Sequence, residues 1–392
     1  MSRPFEPLAA RRAHLAKANP LRALTDVINR VDGGINLGQG VCDLDSPEPL
    51  RRGAVESIEG ADRQTYTPYS GLPELRAEIA KKLRGYNGLD VDGDQVLVSL
   101  GSSGALFAAG QCLLEPGDEV ILFEPFYSYH ISQLRLLGAK PVCVRLAEPD
   151  YALDLDALKA ALTPKTRAII VNTPANPTGK VFTREELEAI SGLLDGSDIV
   201  VFTDEVYEYM LFDGREHVSP AAVPGLTERT LTLGGFSKTY SITGWRIGYL
   251  AGPADLVNSI GLIQDQMVVC PPRPLQRGVQ RALAELPASF YTDLATDYER
   301  RRDRFCEALS QAGFGVRKPQ GAYYAMAEYT GVLGDVAPYD AVLQLIERVA
   351  INAVPGDLFY EDGAGVRTIR FHFAVADDVL DECCARLPRL AD

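Results

Sequence analysis

One lysine, Lys238, stands among small, hydroxyl-bearing and aromatic residues in the stretch GGFSKTYSITGWR, which runs from Gly234 to Arg246. A lysine that such a setting strips of water loses its proton more easily and can attack a carbonyl carbon to form a Schiff base. Arg246 presents several donors at once and suits a phosphate group. A surface lysine beside a buried Trp245 is the ordinary alternative, so the interpretation depends on other segments.

Further candidate groups follow apolar runs that we predict to be strands. Asp204 ends the run DIVVFTD, so we expect it to be buried, where a carboxylate needs a donor or cation such as a protonated pyridine nitrogen. Tyr207 is in reach of a ring hydroxyl from the same loop, and Tyr127, in EPFY, offers a flat face for stacking. Open parallel sheets bind ligands at the carboxyl ends of their strands, which favours a shared site.

Two other segments offer hydrogen-bond donors. LVSLGSSGAL, residues 97–106, passes from strand to helix, so Ser102, Ser103 and the amides there would face an anion at a helix N-terminus. Asn176, in NTPANPTGK, adds a neutral donor just after a strand. Helix capping by the serines and turn formation by the asparagine are the ordinary alternatives, and both stay open from the sequence alone.

The elements that must position these groups alternate from residue 96 onward. Strands are predicted at 96–100, 119–123, 168–172, 198–204, 231–234 and 247–252, with helices at 102–114, 127–137 and 183–194 between them. Such a pattern is typical of a mostly parallel sheet with helices on both faces, an α/β fold. We predict three segments: 1–45 as an N-terminal arm and part of a small domain, 46–287 as a large domain, and 288–392 as a small α+β domain.

Composition and charge disfavour several classes of binding partner, cellular location and metal site. The chain has 392 residues, and 39 Lys and Arg stand against 53 Asp and Glu, a net charge of −14, which disfavours binding to nucleic acids and anionic membranes. No signal peptide is recognised, and no run approaches the roughly 20 apolar residues that span a bilayer. The seven cysteines and four histidines show no zinc spacing. We therefore expect free thiols, no metal site and a cytoplasmic location.

Jointly these positions resemble the fold-type I, pyridoxal-phosphate-dependent aminotransferases of class I and II, from INLGQG to IRFHFA. The likeness is greatest to the branch with kynurenine, methionine and aromatic aminotransferases. It implies a large domain on a seven-stranded sheet, pyridoxal 5'-phosphate as cofactor, and transfer of an amino group from an α-amino acid to a 2-oxo acid. It also implies that Lys238 carries the internal aldimine and moves the proton, that Asp204 pairs with the pyridine nitrogen, and that Asn176 and Tyr207 contact the ring oxygen.

The same resemblance assigns the rest of the site. Tyr127 would stack on the ring, and the phosphate would be surrounded by Ser102, Ser103, Ser237 and Arg246. Arg370 would bind the substrate carboxylate, assisted by Asn176 and the Gly40 backbone. Tyr66, in the YTPYSG loop, would reach the phosphate of the neighbouring subunit, which implies a homodimer with shared sites.

Several residues depart from the family pattern. Gly235 stands where many relatives have a serine hydroxyl on the phosphate, and the segment Val41–Cys42 replaces an aromatic residue and a proline. Residues 267–273 lack the usual aromatic substrate contacts, and Arg273 there either recognises a polar side chain or is solvated. His372, beside Arg370, is either an ordinary buried histidine or a substrate contact.

These departures leave the substrates, the pathway and the reaction type open. The alternative function is a pyridoxal-phosphate-dependent β- or γ-elimination, replacement or cyclisation enzyme, because the same cofactor chemistry supports each of these reactions. A regulator that keeps the fold as a ligand sensor is disfavoured, since the net charge of −14 opposes DNA binding.

Overall fold

A computed structural model of the chain describes residues 20–42, 44–60 and 63–391, so residues 1–19 of the predicted N-terminal segment 1–45 lie outside the described residues. Within these ranges the helices are α1 Pro20–Ile28, α2 Glu48–Glu59, α3 Pro73–Lys82, α4 Gly101–Leu113, α5 Ser128–Leu137, α6 Leu155–Ala161, α7 Arg184–Leu194, α8 Ala254–Val268, α9 Arg273–Glu285, α10 Ala288–Gln311, α11 Thr330–Leu333, α12 Pro338–Val349 and α13 Asp377–Arg386. The strands are β1 Ile35–Asn36, β2 Val96–Ser99, β3 Glu119–Glu124, β4 Lys140–Arg145, β5 Thr166–Asn172, β6 Val200–Asp204, β7 Thr230–Gly235, β8 Gly248–Ala251, β9 Gly315–Val316, β10 Tyr324–Glu328, β11 Ile351–Asn352, β12 Val354–Pro355 and β13 Thr368–His372.

Seven strands form the central sheet in the order β2-β8-β7-β6-β5-β3-β4. Strand β8 runs antiparallel to both of its neighbours, and the remaining pairings are parallel. The predicted α/β fold with a mostly parallel sheet is therefore confirmed. The sequence reading missed β4, an edge strand whose end residues are exposed and whose apolar character is correspondingly weak.

Both faces of the sheet are covered, because successive side chains of a strand point to opposite sides. In β3, Val120 and Leu122 belong to one apolar cluster with residues of α4 and α5, whereas Ile121 and Phe123 belong to a second cluster with residues of α6 and α7. A capping box begins α7: the Thr183 side chain accepts from the Glu186 amide, and the Glu186 carboxylate accepts in return from the Thr183 amide. Because helices cover both faces of the sheet, strands formed by continuous apolar runs are buried on both sides.

A second, antiparallel sheet of order β12-β13-β10-β9 lies in the C-terminal part. Its core includes Phe305 of α10 and Phe371 of β13, together with Leu24 and Ile28 of α1. Strand β1 pairs in parallel with β11. The segment 20–37 therefore packs with C-terminal elements, although the boundaries 1–45, 46–287 and 288–392 stay a prediction.

A buried group of charges fixes the loop that follows β6. Helix α3 ends in a π-helical turn, Leu83–Asn87, which brings the Asn87 side-chain amide to 2.8 Å from Glu208 Oε2 and 3.3 Å from Glu205 Oε2. Lys82, at the end of α3, forms an ion pair with Glu208. A π-helical turn is rare. This one directs Asn87 toward the loop that follows Asp204, and its hydrogen bonds help to hold that loop in place.

None of the described helices is both long enough and apolar enough to cross a bilayer.

Replacing Lys82 by methionine is expected to lower the free energy of unfolding by about 3–5 kcal/mol, because the buried Glu208 carboxylate loses its cation. Lys81 is the matched control: it lies on the same helix, its side chain is 69% exposed, and its ion pair with Glu78 is a surface one. Lys81→Met should cost less than about 1 kcal/mol. Urea unfolding of both variants measures the difference, and equal losses would contradict the role given to Lys82.

Candidate active site

One cavity opens where β5, β6 and β7 end and α4 begins. Its lining is Ser102, Ser103, Tyr127, Asn172, Asn176, Asp204, Val206, Tyr207, Gly235, Ser237, Lys238, Thr243 and Arg246. The structure therefore brings together nine of the side chains singled out from the sequence. They come from segments far apart in the chain, from residue 102 to residue 246. This cavity lies at the carboxyl edge of the parallel strands, as expected for an open α/β sheet.

The carboxylate of Asp204 forms the floor of the cavity. The residue is the last of β6 and is 5% exposed. His130 Nε2 lies 2.9 Å from Oδ2, whereas no donor among the described residues reaches the buried Oδ1. A buried carboxylate oxygen without a donor is costly, so this oxygen needs a donor from outside the chain.

Lys238 lies in the turn that follows β7 and is half-buried. Its Nζ donates to the Gly40 carbonyl at 2.9 Å and lies 5.9 Å from the centre of the Tyr207 ring. The hydroxyl of Tyr207 is 2.9 Å from that of Tyr324. Burial, together with Tyr324, raises the pKa of Tyr207 well above its ordinary value, so its phenol stays neutral and can donate.

Positive and polar groups gather at the start of α4. Arg246 Nη1 donates to Thr243 O at 2.8 Å, and its contact with Ser237 Oγ is longer, at 3.4 Å. Gly101 has φ +71°, and a Cβ there would lie 2.5 Å from Arg246 Nη2. Glycine at 101 therefore lets the guanidinium approach the helix N-terminus, and the exposed Arg246 and the helix dipole both favour an anion there.

Arg370 of β13 reaches the cavity wall from the C-terminal sheet and is 4% exposed. Its Nη1 donates to Asn176 Oδ1 at 2.8 Å and its Nη2 to Gly38 O at 2.6 Å. The guanidinium lies 4.3 Å from the centre of the Tyr324 ring, and its buried Nε has no acceptor within the described ranges. The arrangement holds a rigid cationic fork with capacity for a carboxylate.

Tyr66 lies outside this cavity and is 78% exposed. Arg273 fixes its backbone by donating from Nε to Thr65 O at 3.2 Å and from Nη2 to Tyr66 O at 3.1 Å. These contacts join a half-buried guanidinium to carbonyls of its own chain, and they do not test the two possibilities raised for Arg273. The prediction that Tyr66 reaches a neighbouring subunit stays a prediction.

His372 is a buried histidine and not part of the cavity lining. Its Nδ1 accepts from the Ala374 amide at 3.3 Å, so Nε2 carries the proton and donates to Asn36 O at 3.2 Å. Burial, reinforced by the charge of Arg370, lowers the pKa of His372 to about 3. The imidazole is therefore neutral wherever the protein is folded near neutral pH.

A model of the family described as aminotransferase class I and II matches residues 32–387. The chain belongs to this family. A probable N-succinyldiaminopimelate aminotransferase of Mycobacterium tuberculosis is 37% identical over 373 residues, 92% of this chain and 93% of that protein. Aromatic-amino-acid aminotransferase 2 of Thermococcus litoralis is 32% identical, with 97% of each chain covered.

Solved structures agree with this assignment. The structure of N-succinyldiaminopimelate aminotransferase from Mycobacterium tuberculosis matches with a TM-score of 0.92 at 35% identity, over 97% of this chain and 100% of the other. A protein from Escherichia coli with a methionine aminotransferase function matches with a TM-score of 0.93 at 28% identity, over 97% and 99%. The chain is an aminotransferase, and the elimination and replacement alternative is not favoured, since these relatives carry aminotransferase names.

Sequence reasoning missed several residues of this aminotransferase site. His130 follows Tyr127 by three positions, a spacing that places two residues on one face of a helical turn, and this signal was available. Asn172 ends β5, and its amide donates to the Asp204 carbonyl at 2.9 Å. Tyr323 and Tyr324 gave no local signal, because only the fold carries β10 to the cavity.

The neutral His372 predicts a dependence of stability on pH. Its folded pKa of about 3 lies below the unfolded value of about 6.5, so between these values the unfolded chain binds more protons and stability falls on acidification. His372→Asn should flatten the unfolding free energy between about pH 4.5 and 6.5, by up to about 1.4 kcal/mol per pH unit. Denaturant unfolding across this range measures it, and an unchanged slope would refute the neutral, buried imidazole.

Proposed function

We propose that this aminotransferase binds pyridoxal 5'-phosphate through Lys238 and transfers the amino group of an α-amino acid to a 2-oxo acid. The observation that carries the proposal is the buried Oδ1 of Asp204, which lacks a donor among the described residues at the floor of a cavity that Lys238 also lines. A protonated pyridine nitrogen is a donor of the required charge.

The residues present fit the cofactor at each end. Arg246, Ser237 and the amides at the start of α4 would hold its phosphate, since a helix N-terminus and an arginine both favour anions. Tyr127 would cover one face of the ring, and Tyr207 and Asn176 would contact the ring oxygen. When bound, pyridoxal phosphate draws electrons from the α-carbon of an amino acid.

The protein's own groups then bind the substrate and move its proton. Arg370, held by Asn176 and Gly38, would fix an α-carboxylate and so orient the α-carbon. Lys238, whose Nζ is secured by one carbonyl acceptor, would take up and return the α-proton as a general base and acid. The identity of the side chain that is accepted, and the branch of the family, stay predictions.

We further propose that the protein works as a cytoplasmic homodimer in which Tyr66 contributes to the neighbouring site. Support comes from the exposure of Tyr66 on a loop that Arg273 holds in place. The seven cysteines are all unpaired, which suits a reducing compartment.

Covalent attachment tests the central proposal. Protein loaded with pyridoxal phosphate and treated with borohydride should carry a pyridoxyl group on the peptide that contains Lys238, and added amino acid should convert the bound cofactor to its amine form. Lys238→Ala should bind no reducible adduct and lose at least about a hundred- to ten-thousandfold in transamination rate, the usual contribution of a positioned base. The exposed Lys81→Ala is the control. A pyridoxyl group on another residue would refute the assignment.

Gly235 offers a second test, because it has room for a side chain. A Cβ there would lie 3.5 Å from Val206 Cγ1 and 3.9 Å from the Ser102 amide nitrogen, directed at the anion site. Gly235→Ser should fold normally and bind pyridoxal phosphate about three- to tenfold more tightly through one added hydrogen bond. The neighbouring Gly234→Ser is the contrast, because its Cβ would lie 2.1 Å from Tyr249 Cζ, so it should be destabilised. Thermal unfolding and spectroscopic titration distinguish the two variants.

A further inference from the structure

The carbonyl of Gly40 accepts hydrogen bonds from two side chains. Lys238 Nζ lies 2.9 Å from this oxygen and the hydroxyl of Tyr323 lies 3.0 Å from it. A carbonyl oxygen has two lone pairs, so both bonds can form at once. The proposed function uses the lysine and leaves the tyrosine without a role.

Tyr323 is held rigidly in this position. It is 0% exposed, and its ring stacks on Tyr298 with 5.9 Å between centroids and meets Tyr207 edge-on at 5.1 Å. Gly40 is equally confined, since a Cβ there would lie 2.2 Å from the Tyr324 hydroxyl. Packing from several sides therefore holds the Tyr323 hydroxyl against the Gly40 carbonyl, with the Cys42 thiol and the Tyr207 hydroxyl beside it.

The two donors differ in what happens to them during the proposed chemistry. When Lys238 Nζ attacks an aldehyde carbon, a carbon–nitrogen double bond forms and the aldehyde oxygen leaves as water. The nitrogen is then bonded to the ligand and, when unprotonated, carries no hydrogen, so Gly40 O loses the lysine as donor. The phenol of Tyr323 takes no part and keeps its hydrogen.

We propose that Tyr323 is a positioning residue that keeps the Gly40 carbonyl hydrogen-bonded while Lys238 is bonded to the cofactor. This inference rests on the proposed function. Gly40 is half-buried, and a carbonyl there that loses its last donor from the protein is left poorly hydrogen-bonded, which would oppose departure of the lysine at every cycle. With Tyr323 in place, the lysine can leave and return while the segment from Gly38 to Cys42 stays in position.

Tyr298 provides a matched control. It is also 0% exposed and belongs to the same stack, but its hydroxyl faces the Cys42 thiol and not the Gly40 carbonyl. Tyr298→Phe therefore removes the same atom from the same cluster and keeps both donors to the Gly40 carbonyl. Tyr323→Phe removes the donor to Gly40 and keeps the ring.

The experiment compares two forms of the cofactor on each full-length variant. Pyridoxal phosphate condenses with Lys238, whereas pyridoxamine phosphate has no aldehyde and leaves the lysine on Gly40. Dissociation constants for both forms are measured by spectroscopic titration of the apoprotein, without any turnover. Because the ratio of the two constants is taken within one protein, a general loss of packing cancels.

Tyr323→Phe should weaken pyridoxal phosphate binding about five- to tenfold and leave pyridoxamine phosphate binding within about twofold. The reason is that Gly40 O is left without either of its two donors only when the variant binds pyridoxal phosphate. Tyr298→Phe should leave the ratio unchanged. An unchanged ratio in Tyr323→Phe, with normal cofactor attachment at Lys238, would overturn the inference and spare the proposed function. Failure of the wild-type protein to attach the cofactor at Lys238 would overturn both.

Discussion

The buried carboxylate of Asp204 is the constraint on which the site depends. One oxygen meets His130 and the other has no donor among the described residues, at the end of the central strand β6. Such a group is stable only if the surrounding structure holds it firmly and a partner completes it. Much of the neighbourhood serves the first requirement: Asn172 donates to its backbone carbonyl, and the buried Lys82–Glu208 pair secures the next turn of the chain.

The two ends of the cavity are built by different physical means. At the end formed by the start of α4, backbone geometry is decisive, because Gly101, with its positive φ and no Cβ, leaves space for Arg246 beside a helix N-terminus. At the opposite end, side chains are held by packing, with Arg370 between Tyr324 and Phe359 and hydrogen-bonded to Asn176 and Gly38. A rigid fork between aromatic rings can select a carboxylate by geometry as well as by charge.

The sequence sufficed for features with a local cause. Apolar runs predicted the buried strands, and polar residues at strand ends predicted Asp204 and Asn176 in one cavity. Residues placed by long-range packing were not predicted, because nothing in the sequence near Tyr323 or Tyr324 indicates that β10 borders the cavity. The edge strand β4 escaped for another reason: it lacks a continuous apolar run. Arg273 escaped as well, since hydrogen bonds to the carbonyls of residues 65 and 66 depend on where two distant segments meet.

The clamp formed by Arg273 bears on how a second copy would meet this surface. The loop that presents Tyr66 is held by three hydrogen bonds. Arg273 donates to Thr65 O and Tyr66 O, and the side-chain amide of Gln276 donates to the hydroxyl of Thr67. Association that must first order a loop loses conformational entropy in doing so. A surface whose shape is set within one chain avoids that loss, so the free subunit already has the contour that its counterpart would encounter.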